Sequence, residues 1–217
     1  MKARFGWLLG VSTAFSLVLI GPTRADMLVN DFGDGVQSWR FDFGSPITPG
    51  LSRDATEGSP GNAQGALRMD MTYVASQGGN NNFAFTGDVF FPETDLSGYD
   101  NVEFDLKIAD GAALDAFGNH GFFQFVSRET GGYSFNSVLG QNLAPNTGVW
   151  IPFSVPTDTM TATRAFTIQL YGGPSQNIDG PITLFLDNVR LTNNIPEPTG
   201  LVVAGLLGLT ALASRRR

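Results

Sequence analysis

Two carboxylates, Glu103 and Asp105, lie two residues apart in a segment whose apolar and polar residues alternate. The alternation predicts a strand that presents both carboxylates and Lys107 on one polar face. Retaining glycoside hydrolysis uses a pair of carboxyl groups about 5–5.5 Å apart that flank the scissile bond. Two such neighbours lie about 6.6 Å apart along a single strand, so an exposed polar strand face explains this pair more simply.

Amides and tyrosines form a second set of residues with useful chemistry. Three of them point outward from predicted strands whose other face is apolar, and the fourth lies at the edge of a neighbouring strand: Gln124, Gln169, Tyr171 and Tyr133. An aromatic ring can cover the apolar face of a sugar while planar amides hold its hydroxyl groups. The alternative is that all four are ordinary exposed residues of a sheet.

The composition excludes several other chemistries. The 217 residues contain no cysteine, so there is no disulfide framework, thiolate metal site or cysteine nucleophile. The single histidine, His120, lies in a loop rich in Gly and Asn, where a surface side chain is expected. Segment 26–197 holds seven basic and twenty acidic residues, a formal charge of −13 against −7 for the whole chain, which argues against nucleic-acid binding.

The elements that must position these side chains are strands. Short runs of alternating apolar and polar residues are separated by clusters of Gly, Pro, Asn, Asp and Ser, and no segment keeps a helical period. This pattern predicts an all-β antiparallel β-sandwich, a jelly roll of eight to ten strands. The predicted strands are 27–31, 36–43, 67–73, 82–85, 102–108, 121–126, 133–138, 148–155, 166–170 and 182–191, and long loops are predicted at 44–62 and 109–120.

The N-terminal residues 1–25 have the pattern of a secretory signal peptide. Lys2 and Arg4 precede an apolar run, and small residues precede a cleavage point between Ala25 and Asp26. The alternative is an uncleaved membrane anchor. With cleavage, the mature chain begins with a sandwich domain, residues 26–192, that works outside the cytoplasm, and the signal helix is removed.

The C-terminus has a second address. A linker at 193–198 ends in Pro196, Glu197 and Pro198, and an uncharged helix-length run leads to the terminal arginines Arg215, Arg216 and Arg217. This order resembles a PEP-CTERM sorting signal over residues 193–217. The resemblance implies a Gram-negative bacterium that makes exopolysaccharide, an exosortase-type membrane protease, transient anchoring in the inner membrane, and final residence at the cell surface or in the extracellular matrix. The alternative is a plain anchor after a stiff spacer.

The order of landmarks in the middle segment resembles carbohydrate-binding modules with the galactose-binding-like jelly-roll fold. The landmarks are Asn30-Asp31-Phe32 with Trp39 downstream, Gly65-Ala66-Leu67, Asp95-Leu96-Ser97-Gly98-Tyr99, Trp150-Ile151-Pro152-Phe153, and Leu186-Asp187-Asn188-Val189. The resemblance implies a non-catalytic sandwich that binds sugar on one sheet or on rim loops. It also implies that Trp39 and Trp150 belong to the core.

The same resemblance implies a structural calcium ion where the first and last strands meet. The matching positions are Asp31 and Asp187, whose hard oxygen atoms suit Ca²⁺. Gly33 stands where the family usually has Glu, which removes one expected carboxylate. The alternative is that both aspartates only cap turns and strand ends.

Three hypotheses for function follow. The first is an exported, exosortase-sorted protein whose non-catalytic sandwich binds exopolysaccharide. The second is a purely structural envelope or biofilm protein that contacts other proteins and binds no sugar. The third is a glycoside hydrolase, because Glu103-Phe104-Asp105-Leu106-Lys107 is similar to the Glu-x-Asp-x-Glu strand of laminarinase-like enzymes, although Lys107 occupies the place of the second glutamate.

Overall fold

The computed structural model describes residues 25–45, 47–129, 135–172 and 178–193. These residues form eleven strands, with a short 3-10 helix at Ala75–Asn80. The strands are β1 (Met27–Asn30), β2 (Trp39–Ser45), β3 (Gly50–Asp54), β4 (Ala66–Tyr73), β5 (Asn82–Gly87), β6 (Asn101–Ile108), β7 (Phe122–Glu129), β8 (Phe135–Asn142), β9 (Trp150–Pro156), β10 (Thr163–Tyr171) and β11 (Gly180–Thr192).

Two antiparallel sheets contain all of these strands. Sheet A has the order β3-β4-β11-β6-β9, and β1 also pairs with β11. Sheet B has the order β2-β5-β10-β7-β8. The predicted all-β antiparallel sandwich is therefore confirmed.

Strand β6 shows how the sequence produces this architecture. Its apolar residues Val102, Phe104, Leu106 and Ile108 are buried, whereas the polar residues between them are half-buried. A strand with this period packs one face on the core and leaves the other on the surface.

Aromatic side chains from both sheets fill the core between them. Phe104 of sheet A stacks on Phe125 of sheet B, with ring centroids 4.9 Å apart and planes 20° apart. Phe104 also stacks on Phe153 of β9 at 5.3 Å. Each such buried side chain contributes about 1.5–3 kcal/mol by removal from water, so this core accounts for a stable sandwich without disulfides.

The structure corrects two predicted elements. Residues 50–54 were assigned to a loop, but they form β3, which pairs with β4 from Gly50 opposite Asp70 to Asp54 opposite Ala66. Strand β2 begins at Trp39 instead of residue 36, because Gln37 and Ser38 have positive φ angles of 45° and 70°, which no strand accommodates.

The two ends of the described domain meet. The Asn193 backbone N–H donates to Asp26 Oδ1 at 2.9 Å, next to the pairing of Met27 with Leu191. The predicted signal helix and the hydrophobic C-terminal helix, with Pro196, Glu197, Pro198, Arg215, Arg216 and Arg217, lie outside the described residues. Among the residues that the structure does describe, no helix is long and apolar enough to cross a membrane.

Candidate functional site

The outer face of sheet B brings three of the four predicted sugar-contacting residues together. Gln169 of β10 lies opposite Gln124 of β7 in the strand register. One step along the same face, Tyr171 lies opposite Phe122. These two cross-strand pairs place the amides Gln169 and Gln124 next to the rings of Tyr171 and Phe122. Tyr133 lies outside the described residues.

The two rings of this face form a contiguous aromatic surface. The centroids of Phe122 and Tyr171 are 6.4 Å apart, with an interplanar angle of 54°. Phe122 lies against Gly140 of β8, where an added Cβ would stand 3.0 Å from Phe122 Cζ. The glycine therefore makes room for the ring. Partial burial raises the pKa of the Tyr171 hydroxyl, so this group is protonated at neutral pH and can both donate and accept hydrogen bonds.

The side-chain amide of Asn82 fixes the position of Gln169. Its Nε2 donates to Asn82 Oδ1 on β5 at 3.2 Å. Only 4% of Gln169 is exposed although it faces outward, so the residue forms part of the floor of the site and does not project from it. A buried amide held by a partner keeps a fixed direction for further hydrogen bonds.

Two threonine hydroxyl groups and one ion pair lie next to Gln169 and Gln124, on the side away from the rings. Thr86 Oγ1 and Thr167 Oγ1 are 2.8 Å apart, and both residues are almost completely buried. Arg128 Nη1 of β7 lies 2.6 Å from Asp42 Oδ2 of β2. Because β10 and β5 lie between those strands, this ion pair reaches across the threonines and helps to bury them.

Phe122 and Asn82 also belong to this face, although neither was predicted from the sequence as a site residue. Phe122 and Phe123 are consecutive, so hydrophobicity alone could not tell which ring faces outward. The predicted strand 82–85 begins at Asn82, as β5 does, but Asn82 was not named as a site residue although it lies opposite Tyr171. The only available signal was the alternation within β5, where Phe83 and Phe85 are buried.

Asp187 is a buried anchor between β11 and the loop that follows β3. Its Oδ2 accepts the Ser59 N–H at 2.7 Å, and its Oδ1 accepts Asn62 Nδ2 and the Asn188 N–H, each at 2.6 Å. Burial raises the pKa of this carboxyl group despite the hydrogen bonds that oppose the shift.

Asp31 closes a separate loop. Its Oδ1 accepts the Gly33 N–H at 3.1 Å and Gln37 Nε2 at 2.6 Å, and these hydrogen bonds lower the pKa of Asp31. Asp31 and Asp187 share no hydrogen-bond donor, and the described residues hold no cluster of three or more His, Cys, Asp or Glu side chains suited to a metal ion. The hydrogen bonds to both carboxylates come from N–H groups, so each aspartate holds its own loop in place. Calcium binding at these residues stays a prediction.

The structure also tests the predicted burial of Trp39, Trp150 and His120. Trp39 is buried beside Phe32, as predicted. Trp150 was expected in the core, but it is partly exposed on the outer face of sheet A, where Lys107 Nζ lies 5.4 Å from its ring centroid. His120 was expected at the surface, but it is buried, and its Nδ1 lies 2.8 Å from the Ala113 carbonyl oxygen, which orients the loop before β7.

Comparisons with known proteins identify the fold. No family model and no curated protein matches this chain. The CBM27-1 module of Caldicellulosiruptor saccharolyticus, solved in complex with mannohexaose, is 22% identical with a TM-score of 0.53, covering 78% of this chain and 97% of that chain. A CBM28 carbohydrate-binding module specific for non-crystalline cellulose is 16% identical with a TM-score of 0.55, covering 79% and 97%. This chain therefore has the β-sandwich fold of such carbohydrate-binding modules.

Proposed function

We propose that the sandwich domain binds a carbohydrate without catalysis and that the outer face of sheet B holds the ligand. The observation that carries this proposal is the aromatic pair of Tyr171 and Phe122 beside the cross-strand amides Gln169 and Gln124. The rings supply apolar area for sugar faces, and the amides supply directed hydrogen bonds to hydroxyl groups. The two similar modules, which bind mannohexaose and non-crystalline cellulose, support this class of ligand.

Retention on insoluble polysaccharide tests the proposal. The purified protein is passed over a panel that includes mannan and non-crystalline cellulose, and the bound fraction is compared with that of Tyr171→Ala. Phe91→Ala is the matched control, because it removes a ring that is 87% exposed in the loop after β5. We expect retention on at least one polysaccharide, a loss in Tyr171→Ala and no change in Phe91→Ala. A protein that no polysaccharide retains would instead fit the structural envelope protein.

The hydrolase alternative has a separate readout. Glu103 lies on sheet A, away from the amides of sheet B, and its Oε2 accepts Arg190 Nε at 2.9 Å and Nη2 at 2.7 Å. Lys107 in the place of a second glutamate pairs with Glu57. Reducing-sugar release that disappears in Glu103→Gln would establish the enzyme and overturn the non-catalytic assignment.

We also propose that the chain is exported and sorted by an exosortase-type protease in a Gram-negative bacterium. The signal-peptide pattern that ends at Ala25 and the order Pro196-Glu197-Pro198, apolar run and terminal arginines support this route. Mass spectrometry of the protein from its own cells should find a mature N-terminus at Asp26 and loss of residues after the Pro-Glu-Pro motif. An intact chain in the cytoplasm would contradict export.

A further inference from the structure

The outer face of sheet A contains a depression that the proposed site on sheet B does not use. It lies where β6, β9 and the second half of β11 meet, and its volume is about 380 Å³. The side chains that matter at this site are Glu103, Asp105, Pro152, Ser154, Asn188 and Arg190. A volume of this size falls within the usual range for small-molecule sites.

A β-bulge in β11 shapes this depression. The register between β11 and β6 shifts between Asp187 and Arg190, and Asn188 there has a φ angle of 55°. Asn188 Nδ2 donates to Asp105 Oδ2 at 3.0 Å, which fixes the bulge against β6. Bulges and left-handed residues of this kind redirect side chains and occur often beside functional sites.

The polar groups around the depression are oriented but retain hydrogen-bonding capacity. The hydrogen bonds to Glu103 and Asp105 go to one oxygen of each carboxylate, Oε2 and Oδ2. The second oxygen of each can accept hydroxyl protons. Arg190 is anchored by Glu103, and 43% of its side chain is exposed, so its guanidinium can also donate outward. Ser154, opposite Glu103 in the register, is exposed.

The indole ring of Trp150 and the pyrrolidine ring of Pro152 lie beside these polar groups. Pro152 is exposed, and Trp150, two residues earlier on the same face of β9, is partly exposed. Strand β9 is an edge of sheet A, but Pro152 and Pro156 lack the N–H groups that would let a partner chain add a strand there. Rings next to carboxylates and a guanidinium suit a hydroxyl-rich ligand.

We propose that this depression is a second saccharide-binding site, so that one domain contacts two glycan chains through its opposite sheets. The proposal rests on the proposed function for its class of ligand, but it uses none of the residues on sheet B. Glu103 and Asp105 and the acidity of the domain favour a neutral saccharide over an acidic one. Because the two sites lie on opposite faces, the domain would cross-link polysaccharide chains and gain avidity on a matrix.

Stoichiometry measured by titration calorimetry tests this second site. The probe is the soluble hexasaccharide of whichever polysaccharide in the retention panel binds best, beginning with mannohexaose. Ser154→Trp fills the depression without removing any contact described above. Ser52→Trp, at an exposed serine of β3 on the same sheet, is the matched control. We expect two ligands per domain for the unaltered protein and for Ser52→Trp, one for Ser154→Trp and one for Tyr171→Ala, and none for the double variant.

The outcomes separate the two proposals. One ligand per domain, with Ser154→Trp unchanged and Tyr171→Ala inactive, would overturn the second site and leave the site on sheet B. Loss of all binding in Ser154→Trp, with Tyr171→Ala unchanged, would overturn the site on sheet B and leave this one. No binding to any hexasaccharide or polysaccharide would overturn both. Polysaccharide turbidity adds an independent readout, because only a protein with both sites should cross-link soluble chains.

Discussion

The outer faces of the two sheets differ in how they use charge. On sheet A, acidic and basic side chains pair across strands, as Arg190 does with Glu103 and Arg68 with Asp54. On sheet B, the centre of the face is uncharged, with amides, hydroxyl groups and rings around Gln169. The ion pair of Asp42 and Arg128 bounds that centre on one side.

With ligands bound as proposed, this difference would separate two ways of binding on one scaffold. An uncharged row of amides beside rings offers an extended surface that can follow several sugar units. A depression between anchored charges would offer few directed contacts to a short part of a glycan chain. Polar groups that are already held by partners lose little freedom on binding, and both faces hold polar groups in this way through different residues.

Removal of the Asp187 carboxylate should cause the largest loss of stability, and this loss should arise at sheet A. Asp187→Ala leaves three N–H donors without their acceptor, those of Ser59, Asn62 and Asn188. We expect a loss of about 3 kcal/mol in the free energy of unfolding, measured by denaturant titration. Asp158→Ala, at an exposed loop position, is the control and should change little. A loss below about 1 kcal/mol would show that this carboxylate is not the anchor.

A methyl group at residue 140 should weaken the aromatic surface of sheet B. In Gly140→Ala the new Cβ would lie 3.0 Å from Phe122 Cζ, so the ring must shift. We expect roughly fivefold to tenfold weaker polysaccharide binding, about 1 kcal/mol, with a small change in stability. Gly50→Ala is the control on sheet A, because its Cβ would meet the Asp70 side chain at an ordinary 3.4 Å. Equal affinity in both variants would argue that Phe122 does not touch the ligand.

The threonine pair of sheet B should contribute about 1 kcal/mol to stability. Thr167→Val removes the hydroxyl bound to Thr86 in a fully buried position, and a buried hydrogen bond is worth about that amount. Thr183→Val on sheet A removes the bond to Asp70 Oδ1 at a partly exposed position and should cost less. Melting of the two variants side by side checks the order, and a reversed order would contradict the burial argument.

Addition of calcium should change the stability of the domain less than any of these substitutions. If Asp31 and Asp187 only hold their loops through N–H groups, the melting temperature will be the same with millimolar calcium and with a chelator. A ligand that binds the folded state at a concentration of 100 Kd would add about 2.7 kcal/mol. A rise of several degrees in calcium that disappears in Asp187→Ala would therefore establish the metal site.

Strands whose apolar and polar residues alternate strictly could be predicted from the sequence. Strands that form only because they pair with a neighbouring strand could not. Strand β6 has four apolar residues at alternate positions, whereas β3 has one, Leu51, and exists because it pairs with β4. The outward direction of Gln169 followed from alternation within β10. The contact between Tyr171 and Phe122 requires the register of β10 against β7, and local patterns carry no such information.

Binding to polysaccharide by the protein and its Tyr171→Ala variant tests the central claim most directly. The measurement is the dissociation constant on the best-retained polysaccharide, with Tyr171→Phe as the variant that keeps the ring. Ring removal should weaken the sheet B site by about tenfold or more, whereas Tyr171→Phe should retain most of the affinity. Equal affinity for all three proteins would contradict a glycan-binding site on the outer face of sheet B.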